Sequence, residues 1–364
     1  MRPRISAAIF ALLLAAGAAT HCSPAWPPPW QVSLSDEDLL LDDPYAGHFR
    51  SRFWYFNAAL VDGTALTLSL FQWRYGLIGE AGLLVLSTEP GAETFALETK
   101  LEELEVAPDR LQYRFGESVL EGDREGARLR LRLPDFSCDL ELRNLLNPWK
   151  PGDGFTRLNR RGDVYTRLSV TSPFAEVTGS MTVRGQWRPV LGWGYADRGV
   201  VSMPMSRINP EQSTFRVFGP AGQGEPWMLS VSESAAHRAY GSQRSATLLL
   251  ARGGEWLMAT SEHEFRAEEY HKEEGAPFPF PHRFRIMARQ DGRTLEGEFT
   301  VSRLYYLNDI LRKLPPVFRA IAEALIRRPL IYRLEGGFSG ILEEADGSRV
   351  ILQLGGQGEY QIMR

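Results

Sequence analysis

Cysteine and histidine are scarce. The 364 residues hold two cysteines, Cys22 and Cys138, and six histidines. Two cysteines cannot build the framework of a disulfide-stapled domain. Charge of one sign is not in excess either: 41 Lys and Arg stand against 45 Asp and Glu, a net charge of -4. That balance gives no electrostatic footprint for nucleic acid, and no DNA- or RNA-binding motif is present. Beyond the N-terminus no apolar run is long enough to cross a bilayer as a helix. The Gly-x-Ser-x-Gly elbow, the P-loop and a Gly-x-Gly-x-x-Gly turn in a βαβ setting are all missing, and no cofactor is expected. Arg161-Gly162-Asp163 is a tripeptide short enough to arise by chance.

The histidines that do occur give one cluster to weigh. Glu262-His263-Glu264, with His271 and Glu273, is rich in ligand types, but its spacing matches no zinc site. A solvated strand edge and loop is the favoured reading, and no metal is expected. Aromatics are plentiful instead: nine Trp, twelve Tyr and nineteen Phe, with 34 Gly and 23 Pro scattered between them. Such a mixture suits many short strands joined by turns, with wide apolar interiors. A chain of this length suggests two domains.

The first residues read as an export signal. Arg2 and Arg4 precede the small apolar stretch Ala7 to Ala19, too short for a comfortable span. Residues 1–21 are therefore assigned to a signal peptide, which places the protein outside the cytoplasm, in a bacterial periplasm or anchored in the envelope. Cys22 stands where a bacterial lipoprotein carries its lipid, although Ala19-Thr20-His21 fits the lipidation signal poorly. Ordinary cleavage after Ala18 or Ala25 is the alternative. A Cys22–Cys138 disulfide is allowed in an oxidising compartment; a lone buried thiol is favoured for Cys138. Residues 22–45 read as a stiff Pro-rich tether, Pro24 to Trp30, and an acidic lead-in from Ser35 to Asp43.

From about Phe49 the pattern is strand after strand. Ala127 to Leu133 alternates strictly, with Leu129, Leu131 and Leu133 on one face and Arg128, Arg130 and Arg132 on the other. The arginine row is read as a solvated face rather than an anion site. Phe53–Leu60 and Thr64–Tyr75 form a hairpin about the turn signal Asp62-Gly63. In its second strand Leu66, Leu68 and Leu70 face one way, while Thr67, Ser69, Phe71, Trp73 and Tyr75 face the other. Hydroxyls mixed with large rings suit a cavity wall; an ordinary core with hydrogen-bonded hydroxyls is the plain alternative. Asn57 and Gln72 are polar among these aromatics, and either orient a ligand or are satisfied inside the protein. Ten further strands follow by pattern, from Leu83–Ser87 to Leu295–Val301, and Asp346-Gly347 turns the last pair, Ile331–Leu342 and Arg349–Leu354. Close spacing of strands and turns argues for a sandwich or barrel.

One helical interruption is predicted. Over 305–328, Leu307, Ile310, Leu311 and Leu314, then Phe318, Ile321, Leu325 and Ile326 recur near every 3.6 residues, and Pro315-Pro316 splits the run into two helices. Arg312, Lys313, Arg319, Arg327 and Arg328 make it basic. Packing on its own barrel is favoured over contact with an anionic membrane.

Three segments together resemble a known family. Phe53-Trp54-Tyr55-Phe56-Asn57-Ala58-Ala59-Leu60 is similar to the first strand of the carotenoid 1,2-hydratase/AttH group. Gly192-Trp193-Gly194-Tyr195-Ala196-Asp197-Arg198 is similar to the start of its second barrel, and Tyr332 to Gly336 and Gly356 to Tyr360 to its final strands. The resemblance implies an all-β fold of two consecutive lipocalin-like (calycin-type) antiparallel barrels, at 46–185 and 186–364, with the split amphipathic helix before the last strands. It also implies an apolar ligand site in or between the barrels. Relatives of this kind hydrate carotenoid alkenes, cyclise isoprenoid or polyketide substrates, or bind lipids without chemistry, so fold carries over better than activity. The hydratase pattern Gly-Tyr-His-Asp-His-Asn-Trp is kept at Tyr195 and Asp197, but its histidines are replaced by Ala196 and Arg198. Asp197 can act as an acid if burial raises its pKa; Arg198 would oppose this only if it turned toward the carboxylate, and a structural carboxylate is the plain alternative.

The expectation is thus an exported protein that binds a lipid or isoprenoid. The expected walls are Trp54, Tyr55, Asn57, Phe71, Gln72, Trp73, Tyr75, Tyr195 and Asp197. The alternative is an enzyme that hydrates, cyclises or isomerises an isoprenoid-like alkene with Asp197 and Tyr195 as catalytic groups. A third reading is an envelope-tethered interaction domain.

Overall fold

The computed structural model describes residues 34–39, 49–75, 78–203, 208–220, 224–240, 244–309, 311–313 and 328–363. The signal segment, Cys22 and the Pro-rich tether lie outside these residues.

Period-two patterning dominates, and two antiparallel sheets result. The first is built from β1 (Phe49–Leu60), β2 (Ala65–Tyr75), β3 (Ile78–Thr88), β4 (Phe95–Leu101), β5 (Glu105–Val106), β6 (Leu111–Phe115), β7 (Ser118–Gly122), β8 (Gly126–Leu133), β9 (Phe136–Asn144), β10 (Phe155–Arg157), β11 (Tyr165–Val183) and β12 (Gln186–Val201). Its order is β4-β3-β2-β1-β12-β11-β9-β8-β7-β6-β5, with β10 on β11. The second holds β13 (Glu211–Pro220), β14 (Pro226–Ala235), β15 (Arg244–Arg252), β16 (Glu255–Thr260), β17 (His263–His271), β18 (Phe280–Gln290), β19 (Arg293–Asp309), β20 (Pro329–Glu343) and β21 (Arg349–Met363), in the order β16-β15-β14-β13-β21-β20-β19-β18-β17.

The all-β character is as expected, but the two closed barrels are not. Among the described residues the end strands β4 and β5 do not pair, nor do β16 and β17. The first sheet curls into a half-open barrel around one core, where Trp54 stacks on Tyr113 at 5.5 Å and Phe95 on Phe136 at 6.0 Å. The second remains an open sheet, its core built around Phe215 stacked on Phe299 at 4.7 Å.

The expected helices over 305–328 are also corrected. Tyr305 to Asp309 are the end of β19, Leu311–Lys313 is a single 3-10 turn, and 314–327 lie outside the described residues. The register of β19 slips between Val301 and Arg303 and again between Leu304 and Tyr306. Of the apolar positions that gave the helical spacing, only Leu307 lies in the strand; the spacing rested on residues past its end at Asp309. The boundary expected near Gly185 falls inside the first sheet. Arg184 and Gly185, both at positive φ (49° and 80°), form the two-residue turn from β11 to β12, and the chain changes sheet only after Val201.

The alternation of β8 is realised as read. Leu129 and Leu131 are buried in the first core, while Arg130 pairs with Asp139 at 3.2 Å on an exposed face. Cys138 is buried, and burial pushes its thiol up to about 12. The acidic lead-in is no loose arm: Lys150 Nζ meets Asp38 at 2.7 Å, and Arg198 Nη2 donates to the Asp38 carbonyl at 2.8 Å. His263 departs from its expected solvated edge, its side chain being fully buried. Among the described residues no three metal-ligating side chains converge.

Two measurements test this packing. Phe299→Ala removes a fully buried ring from the second core and is expected to cost about 3–5 kcal/mol in urea unfolding. Burial, aided by the Arg244 guanidinium, pushes His263 down to about 4. The unfolded imidazole protonates near its ordinary value of about 6.5, so the folded state binds fewer protons below it. Stability is therefore expected to fall as pH drops from about 6.5 toward about 4. His263→Phe should flatten that part of the curve of urea midpoint against pH; an unchanged curve would rule out His263 as its source.

Candidate functional site

The two sheets face each other, and their facing surfaces are unlike at the two ends. At one end they are clamped by apolar contact. Phe174 of β11 stacks on Phe218 of β13 at 6.0 Å, and Leu146, Val170, Met228 and Ala251 fill the same cluster. Toward the other end they enclose a cavity of about 500 Å³, a size suited to a small organic ligand.

The cavity's two walls follow from strand alternation. On β1, Trp54, Phe56 and Ala58 point into the first core, so Tyr55 points toward the second sheet. On β12, Ala196 and Val200 take the first core, which sends Tyr195 and Asp197 the other way. Phe53, Leu168 and Val170 extend this wall, and Trp149 joins it through a backbone bridge to Val170 (2.8 and 3.0 Å).

The opposite wall is polar. On β13 the apolar Phe215 and Val217 serve the second core, leaving Arg216 and Thr214 on the cavity face. Cross-strand register carries this polarity sideways. Arg333, Glu359, Thr214, Ser232 and Thr247 form one row across β20, β21, β13, β14 and β15. Ser230 stands beside Arg216 in the next row.

Charge concentrates where the walls meet. The Arg216 guanidinium lies 3.9 Å above the Tyr195 ring and 5.2 Å from the Tyr55 ring, and its Nη2 reaches Asp197 Oδ2 at 3.3 Å. Arg333 pairs with Glu359 and donates to the Tyr55 hydroxyl at 3.4 Å. Asp197 is 5% exposed, and its Oδ1 has no hydrogen-bond partner. Burial pushes the Asp197 carboxyl above the ordinary carboxylate range, against the pull of Arg216. Burial likewise raises Tyr195, reinforced by Asp197. Burial disfavours the charged Arg333, yet Glu359, Tyr55 and Tyr305 together outweigh it and hold the guanidinium protonated.

No protein-family model and no curated protein sequence matches the chain. Solved structures do. CghA in complex with Sch210972 matches with a TM-score of 0.63 at 14% identity, covering 91% of this chain and 98% of its own. A protein assigned as AttH from Nitrosomonas europaea gives 0.58 at 13%, covering 87% and 93%. Kievitone hydratase from Nectria haematococca gives 0.59 at 11%, covering 94% and 95%. The chain has their fold.

Within that fold the expected site residues separate into groups. Tyr55, Tyr195 and Asp197 line the cavity together. Trp54 does not; it is buried in the first core against Tyr113. Phe71 lies over Gly82, where an added Cβ would meet its Cζ at 2.4 Å, so the ring covers its own sheet. Gln72 stands across from Arg52 on the first-core side, Asn57 and Trp73 are buried away from the lining, and the Tyr75 side chain lies outside what is described. Arg198 points into the first barrel, away from Asp197, and holds the carbonyls of Asp38 and Leu39. Arg216, Arg333 and Glu359 were missed. Each sits between apolar neighbours in a strand and so resembles a solvated residue.

The buried ion pair gives a sharp test. Glu359→Gln leaves Arg333 without its carboxylate partner and is expected to cost about 3–5 kcal/mol. The double change Arg333→Met with Glu359→Leu should restore much of that in the same urea titration. Additive losses would mean the pair is not coupled.

Proposed function

We propose that the protein takes an apolar small molecule of lipid or isoprenoid type between its sheets and transforms it by proton transfer, as a hydratase, cyclase or isomerase. The observation that carries this reading is Asp197: it lines the cavity, and burial biases its carboxyl toward the neutral form. A carboxyl that burial biases toward its neutral form, on the wall of an enclosed cavity, is suited to donate a proton. Phe53, Leu168, Val170 and Trp149 supply the apolar area that holds the substrate, worth roughly 25 cal/mol per Å2 before association costs. The structural likeness to a kievitone hydratase supports chemistry over simple carriage. A carrier without chemistry is the second reading, favoured by the same apolar wall. Export through residues 1–21, to the periplasm or to an envelope tether at Cys22, belongs to this proposal.

The test uses the protein and an organic extract of its own cells, followed by mass spectrometry. The wild type is expected to consume one apolar component and release a product of equal mass or one water heavier. Asp197→Asn should lower that rate by about 10²-fold or more while the same component still co-purifies. Full turnover in the variant would remove Asp197 as the acid. A stoichiometric component that neither protein changes would establish the carrier instead.

A further inference from the structure

The reading above leaves the charge of the cavity unexplained. Of the four arginines that line it, Arg167 pairs with Asp38 and Arg244 with Glu233, while Arg216 and Arg333 face two carboxylates of the lining, Asp197 and Glu359. Glu359 is committed to Arg333. Arg216 has a single 3.3 Å contact to one oxygen of Asp197, not the two-pronged pairing that a guanidinium makes with a fully engaged carboxylate. Three buried polar atoms around this point lack partners: Asp197 Oδ1, Arg216 Nε and Arg333 Nε. Buried polar groups are normally satisfied, and exceptions ask for an explanation.

The rings argue in the same direction. Arg216 occupies the face of Tyr195 at 3.9 Å and also approaches the face of Tyr55, as does Arg333 at 5.4 Å. These π faces are therefore not open to a substrate cation, and two fixed positive charges would repel one. A plain hydrocarbon alkene, protonated to a carbocation, fits this corner poorly. An oxygen bearing negative charge fits it well: guanidinium donors converge on it, and Ser230, beside Arg216 in register, adds a hydroxyl. Arg216, held by one long carboxylate contact, has room in its donor fork for a further anionic oxygen.

We infer that the ligand of this cavity is an amphiphile whose acidic oxygen, a carboxylate or an enolate, sits on Arg216 while its apolar body lies along Leu168, Val170 and Trp149. This rests on the reading that the cavity takes an apolar molecule, and narrows it to a substrate class.

Three probes of one carbon skeleton separate the two claims: farnesoic acid, farnesol and methyl farnesoate, titrated at neutral pH against the intrinsic fluorescence of the full protein, whose Trp149 lines the cavity. The acid is expected to bind at least about tenfold more tightly than the alcohol or the ester, the scale of one charge-assisted contact. Arg216→Met should bring the acid down to the level of the alcohol, and Arg216→Lys should keep part of the preference. Equal affinities for all three in the wild type would overturn the acidic-oxygen inference and leave the apolar cavity standing. Binding of none would remove the apolar reading, and this inference with it. Should Arg216→Met fail to fold, the wild-type comparison decides alone.

Discussion

Phe174 stacked on Phe218 sets how the two sheets meet, and the cavity exists because that contact is confined to one end. The apolar cluster around it excludes water and holds the facing surfaces together. Along β13 the cavity-facing positions then run Phe218, Arg216, Thr214 and Gln212, from ring to charge to small hydroxyl to amide. Small polar side chains cannot fill the gap that large apolar ones close. The opening is thus a consequence of residue size and polarity along one strand face.

Polar atoms so enclosed must find partners, and most do. Thr67 and Tyr305 both donate to Gln357 Oε1, which ties the first sheet to the second beside the cavity. Arg333 spans the same divide, bonded to Glu359 in its own sheet and to the Tyr55 hydroxyl in the other. Each guanidinium gives up hydration on burial and recovers part of the loss from carboxylate and ring. The recovery stops short at Arg216, where one oxygen of Asp197 and one guanidine nitrogen remain open. Partial satisfaction inside a cavity, rather than in a packed core, is what distinguishes a site from a structural ion pair.

Much of this was legible in the sequence. Asp62-Gly63, the leucines of β8 and the hydroxyl-aromatic face of β2 each predicted strand, turn and orientation, because burial on one face imposes period two. Ser69 does reach the cavity, whereas Phe71 on the same face is spent covering Gly82. Pattern gives the face but not the neighbour. Arg216, Arg333 and Glu359 were hidden for the same reason: a charge between buried apolar residues reads as solvent-facing, and only the tertiary pairing of two sheets turns that solvent into a wall. The helix expected from 305 misled because its spacing rested on one strand residue, Leu307, and on apolar positions past the end of β19 at Asp309.

The motif of β12 can be divided by the same alternation. Where hydratases of the resembled family carry two histidines, this chain has Ala196 and Arg198, and both side chains point into the first barrel. Ala196 packs in the core there. Arg198, buried and with its pKa lowered by desolvation to about 10, anchors the segment that carries Asp38 and Leu39. Tyr195 and Asp197, which match the motif, stand on the other face among Arg216 and the cavity. The two departures from the motif therefore lie on the barrel side of β12, and its two matches on the side between the sheets, so the residues that differ and the residues that agree meet different surroundings.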